Sequence, residues 1–397
     1  MKNIRIFFLL ILTNTLQYQL HAQGIDYQKV GDNIAATLAN VEPGEVVVIN
    51  GGEYALRLIE AIGVGVYKRG GYPFISITTD KLFNSFFTDV PEEYFLNMPD
   101  PMLKWFDDMD VIILVQPVSE HEAARDALFS DASEAKRKKV EDLGNKQMQA
   151  MQEGKARAVI FYYPTEEQAK GSGLDLETCT AEYFKGLTAD FRKVRKSGMQ
   201  LQEMLERAKE VHITSPAGTD IRFSTTGRKC TLQDGSTTAE DNGKPLNDRV
   251  EIMPGGVISQ SIHEHSANGK LSIPKMRCNY KPQVKNLSVQ FTDGMMGTLS
   301  GDGIDCIEET LKPFEKEARL LGQFSIGLNT EVRVIEEGDA NFRPGIAAGL
   351  VYLHVGNNEY IGGENKVTGL FSFPLTNATV TIDGVTVVRD GALLELN

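Results

Sequence analysis

Residues 45–79 read EVVVINGGEYALRLIEAIGVGVYKRGGYPFISITT, and this stretch decides the fold of the N-terminal half of the chain. A valine-rich apolar run ends at Gly51-Gly52, apolar residues then recur at roughly helical spacing, and a second β-rich run begins at Tyr72. Strand, helix and strand in succession form a βαβ unit, in which the crossover is right-handed and the strands are parallel. The stretch therefore predicts a parallel sheet covered by helices.

Two further apolar runs extend this predicted sheet, namely DVIILVQ at residues 110–116 and RAVIFYY at residues 157–163. We therefore expect residues 23–200 to form a doubly wound, mainly parallel α/β domain. The Gly51-Gly52 pair lacks the complete glycine patterns of nucleotide-binding loops, so we interpret it as a tight turn from strand to helix.

Short β-rich runs dominate the sequence beyond residue 200, and Asp-Gly turns separate several of them. One helix is predicted from about Pro313 to Leu321, because proline suits the first helical turn. A chain of 397 residues normally divides into more than one core. The sequence thus predicts a β-rich α+β domain over residues 201–397, after the α/β domain.

The charge balance restricts the partners that the protein binds. The 54 acidic residues outnumber the 41 basic ones, which gives a net charge of −13. Such a surface repels phosphate backbones and anionic lipid headgroups. We therefore expect no nucleic-acid partner, and no insertion into a membrane once the N-terminal segment has been removed.

Residues 1–22 have the pattern of a secretory signal. Lys2 and Arg5 precede an apolar run at residues 6–12, and a small-residue, cleavage-like segment ends at Ala22. The apolar run is far shorter than the roughly 20 residues that a membrane-spanning helix needs. We expect this segment to be cleaved and the mature protein to be exported, either to the periplasm or outside the cell.

The sequence leaves the disulfide state of the cysteines open. An exported protein meets conditions in which they pair, but a chain of this size needs no covalent staples, and buried thiols pack as small apolar groups. We favour the second interpretation. The four cysteines are Cys179, Cys230, Cys278 and Cys306.

Five segments of the C-terminal half follow one another in a recognisable order. They are SPAGTDIRFSTTGRK (215–229), MPGGVISQSIHEHSANGKLSI (253–273), GQFSIGLN (322–329), GLVYLHVGNN (349–358) and TGLFSFPLTNATVTIDG (368–384). Their glycines, spacing and order resemble the thermophilic metallo-aminopeptidases, which include aminopeptidase T, aminopeptidase S and peptidase S. The resemblance implies an aminopeptidase T-like two-domain architecture, a homodimer, and an exopeptidase that uses two divalent ions such as zinc or cobalt.

The metal ligands that this resemblance implies are replaced here. Family members hold the two ions with two glutamates, a histidine and a His-x-Asp pair, because carboxylates and imidazoles match the charge of the dications. The residues at these positions, and at the position of a family tyrosine, are Val257, Gln323, Tyr352, Phe371, Phe373 and Glu359. We therefore expect a degenerate metal site, no bound cofactor, and no catalytic residue that the resemblance assigns.

Three histidines are alternative metal ligands. His354 lies two residues after Tyr352, so on a strand both side chains point to the same face. His263 and His265 have the i, i+2 spacing that also places them together on one strand face. We interpret all three as structural residues, with metal binding as the alternative.

Three functions follow from these observations, and the question of enzymatic activity stays open between them. The first is an exported aminopeptidase-like hydrolase with weak or absent peptidase activity, in the limit a pseudoenzyme. The second is a non-catalytic relative in which an aromatic-lined cleft binds a peptide or another small ligand. The third is an enzyme with new chemistry on the same scaffold, which requires charged groups near the cleft to converge.

Overall fold

The computed structural model describes residues 25–95, 108–119, 134–139, 142, 153–278, 281–334 and 345–396. The predicted signal segment, residues 1–22, lies outside the described residues. Within the described ranges, every helix is too short or too polar to cross a bilayer.

The described elements alternate between helices and strands in the N-terminal half and are mostly strands in the C-terminal half. The helices are α1 Tyr27–Asn33, α2 Leu56–Lys68, α3 Asp80–Thr88, α4 Glu166–Ser172, α5 Leu176–Gly186, α6 Phe191–Arg207, α7 Leu246–Arg249 and α8 Asp305–Leu311. The strands are β1 Val46–Gly52, β2 Tyr72–Thr78, β3 Val111–Val115, β4 Arg157–Phe161, β5 Glu210–Thr214, β6 Asp220–Ser224, β7 Cys230–Gln233, β8 Val250–Met253, β9 Val257–Ser261, β10 Asn268–Cys278, β11 Lys281–Thr292, β12 Met295–Met296, β13 Ser300–Asp302, β14 Leu321–Gly327, β15 Val351–Gly356, β16 Leu370–Leu375, β17 Thr379–Ile382, β18 Val385–Arg389 and β19 Ala392–Leu393.

The first sheet is parallel, with the strand order β2-β1-β3-β4-β8. It confirms the βαβ unit that residues 45–79 predict, with α2 connecting β1 to β2. Strand β8 comes from residues beyond 200, so the chain returns from its C-terminal half to complete this sheet. Residue 200 itself lies within α6, and the division into residues 23–200 and 201–397 stays a prediction.

The Gly51-Gly52 turn makes room for a tyrosine ring. A Cβ atom on Gly52 would lie 2.2 Å from the ring of Tyr54, and the Tyr54 hydroxyl donates a hydrogen bond to the carbonyl of Gln116 at 2.5 Å. In open parallel sheets, ligands bind beyond the carboxyl ends of the strands, where the strand order reverses. Here Tyr54 covers that place between β1 and β3, which agrees with the interpretation of the glycine pair as a turn.

Two antiparallel sheets form the β-rich half, as the sequence predicts. One has nine strands in the order β12-β11-β10-β6-β5-β17-β18-β19, with β13 paired to β11, and the other has the order β16-β15-β14-β9-β7. The rings of Phe223 on β6 and Phe324 on β14 pack with centroids 5.1 Å apart. The face of the five-stranded antiparallel sheet that carries Phe324 therefore packs against the nine-stranded sheet.

The predicted helix from Pro313 to Leu321 is wrong in its position. Helix α8 ends at Leu311, a short 3-10 turn follows at Lys316–Arg319, and Leu321 begins β14. Proline lacks an N–H and disfavours helical geometry in the residue before it. Pro313 therefore follows the end of a helix here and does not begin one.

A disulfide joins Cys278, at the end of β10, to Cys306, in the first turn of α8. The expectation of unpaired thiols is wrong for these two residues and right for Cys179 and Cys230, which are free. The sequence did not predict this pairing, because the two cysteines are far apart in the chain. Only the tertiary structure brings the start of α8 beside the end of β10.

We expect Cys306→Ser to lower the free energy of unfolding by about 2–4 kcal/mol. The bridge closes a loop with a sequence separation of 28 residues, and its loss gives the unfolded chain more freedom. Urea unfolding of both proteins measures the difference. Cys230→Ser is the matched control, since this thiol is unpaired; similar losses in the two variants would show that the bridge does not contribute.

Candidate functional site

A row of polar side chains crosses four strands of the five-stranded antiparallel sheet, β16-β15-β14-β9-β7. Ser261 on β9, Gln323 on β14, His354 on β15 and Ser372 on β16 lie directly opposite one another in the strand register. Residues that lie opposite each other in antiparallel strands point to the same face of the sheet. We call these four residues the polar row.

The residues next to this row on the same face are also uncharged. Ser325 lies opposite Ser259 on one side and Tyr352 on the other, and Tyr352 lies opposite Pro374. Neither this second row nor the polar row contains an acidic side chain. The face that they form is therefore polar and neutral.

His354 is hydrogen-bonded at both ring nitrogens. Its Nδ1 lies 2.8 Å from the hydroxyl of Ser372, and its Nε2 lies 3.2 Å from the hydroxyl of Ser325. The ring of Tyr352 stacks on the imidazole, with the centroids 5.8 Å apart. This contact confirms the prediction that His354 and Tyr352 share one face of the strand.

The imidazole of His354 is neutral at physiological pH. Burial among these neighbours lowers the pKa of His354 to about 4, because desolvation penalises the charged form. A neutral imidazole has one N–H donor and one acceptor nitrogen. One serine hydroxyl therefore accepts a hydrogen bond from the ring while the other donates to it, and the ring acts as a neutral relay between them.

Gln323 meets a tyrosine from the loop that follows β15. The hydroxyl of Tyr360 donates to Oε1 of Gln323 at 2.8 Å, and only 3% of Gln323 is exposed. Tyr360 as a whole is half exposed, but desolvation of its hydroxyl raises the pKa of Tyr360. The N–H that Gln323 Nε2 donates to the hydroxyl oxygen at 2.5 Å opposes that change, because it favours the phenolate. The neighbouring Glu359 pairs instead with Lys366 on the surface. The residue brought to the site is thus Tyr360, one position beyond the one that the resemblance indicates.

Phe371 and Phe373 lie on the other face of the sheet. Their opposite residues are Val355 and Leu353, and Phe373 is 0% exposed. Because side chains alternate along a strand, the residue of β16 that faces His354 is Ser372. The two phenylalanines belong to the core, and the picture of a cleft lined by them does not hold.

The other sequence-derived positions lie around this site. Val257 begins β9 on the polar face, at the end of the strand away from Ser261. His263 Nε2 lies 2.8 Å from the carbonyl of Thr226, and His265 Nδ1 lies 3.3 Å from that of Asp293. Both histidines lie in a turn beyond the end of β9 at Ser261, so the prediction that they share one strand face is wrong. Each has a main-chain carbonyl as a partner there.

Sequence reasoning missed three of the residues that meet at this site: Ser325, Tyr360 and Ser372. The alternation of residues along β14 and β16 is the signal that points to the two serines. At the far end of the polar row, the hydroxyl of Ser261 is buried and has no hydrogen-bond partner among the described residues. The site therefore contains the unpaired hydroxyl of Ser261 as well as the hydrogen bonds that join Ser325, His354 and Ser372.

These donors do not fit a pair of divalent ions. In the part of the chain that the structure describes, no three histidine, cysteine, aspartate or glutamate side chains gather at one point. The groups present on the two rows are hydroxyls, one amide and one neutral imidazole. They cannot offset the charge of two dications, which need anionic ligands in a desolvated site.

A family model describes the C-terminal half of the chain. The model for NicX, a 2,5-dihydroxypyridine 5,6-dioxygenase, matches residues 181–395. This range includes all five segments of the aminopeptidase resemblance and every residue of the polar row. The comparison with curated proteins gave no match.

Two solved structures are similar to this fold. The 2,5-dihydroxypyridine dioxygenase from Pseudomonas putida KT2440 aligns with a TM-score of 0.61 at 14% identity, over 94% of this chain and 97% of its own. AmpT from Thermus thermophilus aligns with a TM-score of 0.65 at 14% identity, over 93% of this chain and 99% of its own. At this identity the two likenesses establish the fold alone. Because the family model covers more than half of the residues, the chain belongs to the NicX (2,5-dihydroxypyridine 5,6-dioxygenase) family.

Proposed function

We propose that this protein is a metal-independent binding protein for a small, uncharged ligand, built on the fold that NicX and AmpT share. The observation that carries the proposal is the hydrogen-bonded set formed by Ser325, His354 and Ser372 beside the Gln323–Tyr360 pair. Every one of these groups is neutral, and together they offer both donors and acceptors.

The activity in the family name requires chemistry that these residues do not support. Oxygen chemistry is carried by a metal or an organic cofactor, and non-haem iron oxygenases bind iron through two histidines and one carboxylate. The polar row contains one histidine, and Gln323 supplies an amide in place of a carboxylate. Ligand binding without iron therefore fits the donor set better than dioxygenation.

The charge of the site also favours a small neutral ligand over a peptide. The amino terminus of a peptide is a cation, and its burial requires an acidic partner. Neither row contains one. A hydroxylated ring can form hydrogen bonds with the serine hydroxyls and with the amide of Gln323, and it needs no charged partner. The first probe to use is 2,5-dihydroxypyridine, the compound in the family name.

We expect 2,5-dihydroxypyridine to raise the melting temperature of metal-free protein by mass action, with or without a chelator. Ser372→Ala should weaken binding about tenfold, since it removes one hydrogen bond of the relay. Calorimetric titration under nitrogen measures the affinity. Ser300→Ala is the matched control, because its hydroxyl bonds to a main-chain carbonyl on another sheet.

Binding that a chelator abolishes would contradict this proposal. So would metal analysis that finds about one or two equivalents of zinc, cobalt or iron per chain after dialysis against each ion. A ligand response that is equal in Ser372→Ala and the unmodified protein would place the binding elsewhere.

Aminopeptidase activity is the second candidate function, and the fold shared with AmpT supports it. It requires a metal site from donors other than those on the two rows. Cleavage of leucine p-nitroanilide, measured with zinc or cobalt and with a chelator, tests it. We expect no chelator-sensitive turnover.

We also propose that the protein is exported and forms a homodimer. The Cys278–Cys306 disulfide supports export, because disulfides persist in oxidising compartments. Cell fractionation tests export, and light scattering of the purified protein tests the dimer.

A further inference from the structure

The loop that carries Tyr360 is attached to the rest of the protein by a buried arginine. Arg228, in the turn after β6, donates from Nη1 to the carbonyl of Gly362 at 2.8 Å and from Nη2 to a carboxylate oxygen of Glu264 at 2.8 Å. Only 8% of the Arg228 side chain and 11% of the Glu264 side chain are exposed. We call Arg228 and Glu264 the clamp.

The other oxygen of Glu264 binds the two ends of the same loop. It accepts hydrogen bonds from Nδ2 of Asn358 at 2.9 Å and from the main-chain N–H of Glu364 at 2.7 Å. Asn358 Nδ2 also donates to the carbonyl of Gly322, the residue directly before Gln323. The clamp therefore holds the loop before, after and close to Tyr360, and ties it to the strand that carries Gln323.

The clamp positions the loop, and it adds little to the stability of the fold. Burying an ion pair costs desolvation free energy that the attraction between the charges roughly offsets, so such pairs add little net stability. What the pair fixes here is the position of a loop whose tyrosine reaches a residue of the polar row. A neutral hydrogen-bonding site needs this precision, because each of its contacts is short and directional.

We propose that Arg228 and Glu264 are positioning residues that hold the Tyr360 phenol against Gln323 and thereby set the affinity of the site. The consequence for ligand affinity rests on the proposed function. The consequence for Tyr360 does not, and two measurements without any ligand test it.

The first test uses Glu264→Gln, which keeps the size of the side chain but removes its charge. We expect hydrogen exchange of the main-chain amides at residues 357–365 to accelerate about tenfold, because the loop opens more easily. We also expect the raised pKa of Tyr360 to return towards about 10, the ordinary value for tyrosine. The difference in ultraviolet titration between each protein and its Tyr360→Phe derivative isolates this one phenol.

Arg228→Lys provides a second variant in case Glu264→Gln fails to fold. It keeps the positive charge but cannot make the fork of hydrogen bonds to Gly362 and Glu264. Glu364→Ala is the matched control. Its main-chain N–H to Glu264 remains, and the carboxylate that it removes is 80% exposed and lies 3.6 Å from Nη2 of Arg228. Such an exposed, long ion pair contributes little, so we expect no change in exchange or titration.

The ligand test is a double-mutant cycle with 2,5-dihydroxypyridine. We expect Glu264→Gln to weaken binding about tenfold alone and not at all in a Tyr360→Phe background, because the clamp acts through that tyrosine. Unchanged exchange and titration in the clamp variants would overturn the inference, and so would exchange that rises equally in all strands. Absence of binding by the unmodified protein would overturn the proposed function and leave the exchange result to decide the clamp.

Discussion

Phe373→Ala is expected to lower the free energy of unfolding by about 3–5 kcal/mol. The ring is 0% exposed and packs against Phe371 with centroids 5.0 Å apart, on the face of the sheet that forms the core. Its removal leaves a cavity that the close-packed neighbours fill only in part. Urea unfolding at neutral pH measures the loss.

The adjacent residue is the natural control for this experiment. Ser372 points to the opposite face, where its hydroxyl meets His354. Ser372→Ala should therefore cost about 1 kcal/mol and act mainly on ligand binding, while Phe373→Ala should leave affinity unchanged in the fraction that stays folded. A large loss of affinity with little loss of stability in Phe373→Ala would mean that the phenylalanine faces the site.

The stability of the protein is expected to fall by up to about 3 kcal/mol between pH 6.5 and pH 4 because of His354 alone. Burial lowers the pKa of His354 from 6.5 to about 4 in the folded protein. The unfolded chain therefore binds a proton below pH 6.5 that the folded chain binds only near pH 4. The contribution is fully present above pH 6.5 and is lost as the pH falls through this window.

Urea unfolding at several pH values, for the unmodified protein and for His354→Gln, isolates this contribution. The glutamine retains one donor and one acceptor but does not titrate, so its curve should fall less steeply between pH 6.5 and pH 4. His265→Gln serves as the control, since this loop histidine lies against the main-chain carbonyl of Asp293. Parallel curves for His354→Gln and the unmodified protein would show that the imidazole is not desolvated as the geometry indicates.

Local sequence patterns were sufficient for the first sheet and for the AmpT-like fold, but not for the NicX family to which the chain belongs. The βαβ unit of residues 45–79 depends on short-range periodicity, which is readable without tertiary contacts. The five ordered segments predicted the AmpT-like fold, and the NicX family model matches the same region. The substituted ligand positions led to the expectation of a degenerate metal site, which stays a prediction.

Contacts between residues that are far apart in the sequence were harder to predict. Aligning motifs put Phe371 and Phe373 in the site, but a shift of one residue on a strand exchanges the two faces, and strand pairing brings Ser372 to His354 instead. The same sensitivity separates Tyr360 from Glu359, because the loop after β15 is shaped by the distant clamp. The disulfide likewise depends on where α8 packs.

The sequence by itself determined the AmpT-like architecture and the negative net charge, because each depends on residue identity or local periodicity. The tertiary structure alone decided which side chains meet: Ser325, His354 and Ser372 on one face, with Tyr360 held over Gln323. The physical reason is that hydrogen bonds act over about 3 Å. Pairing of strands far apart in sequence is what sets distances on that scale.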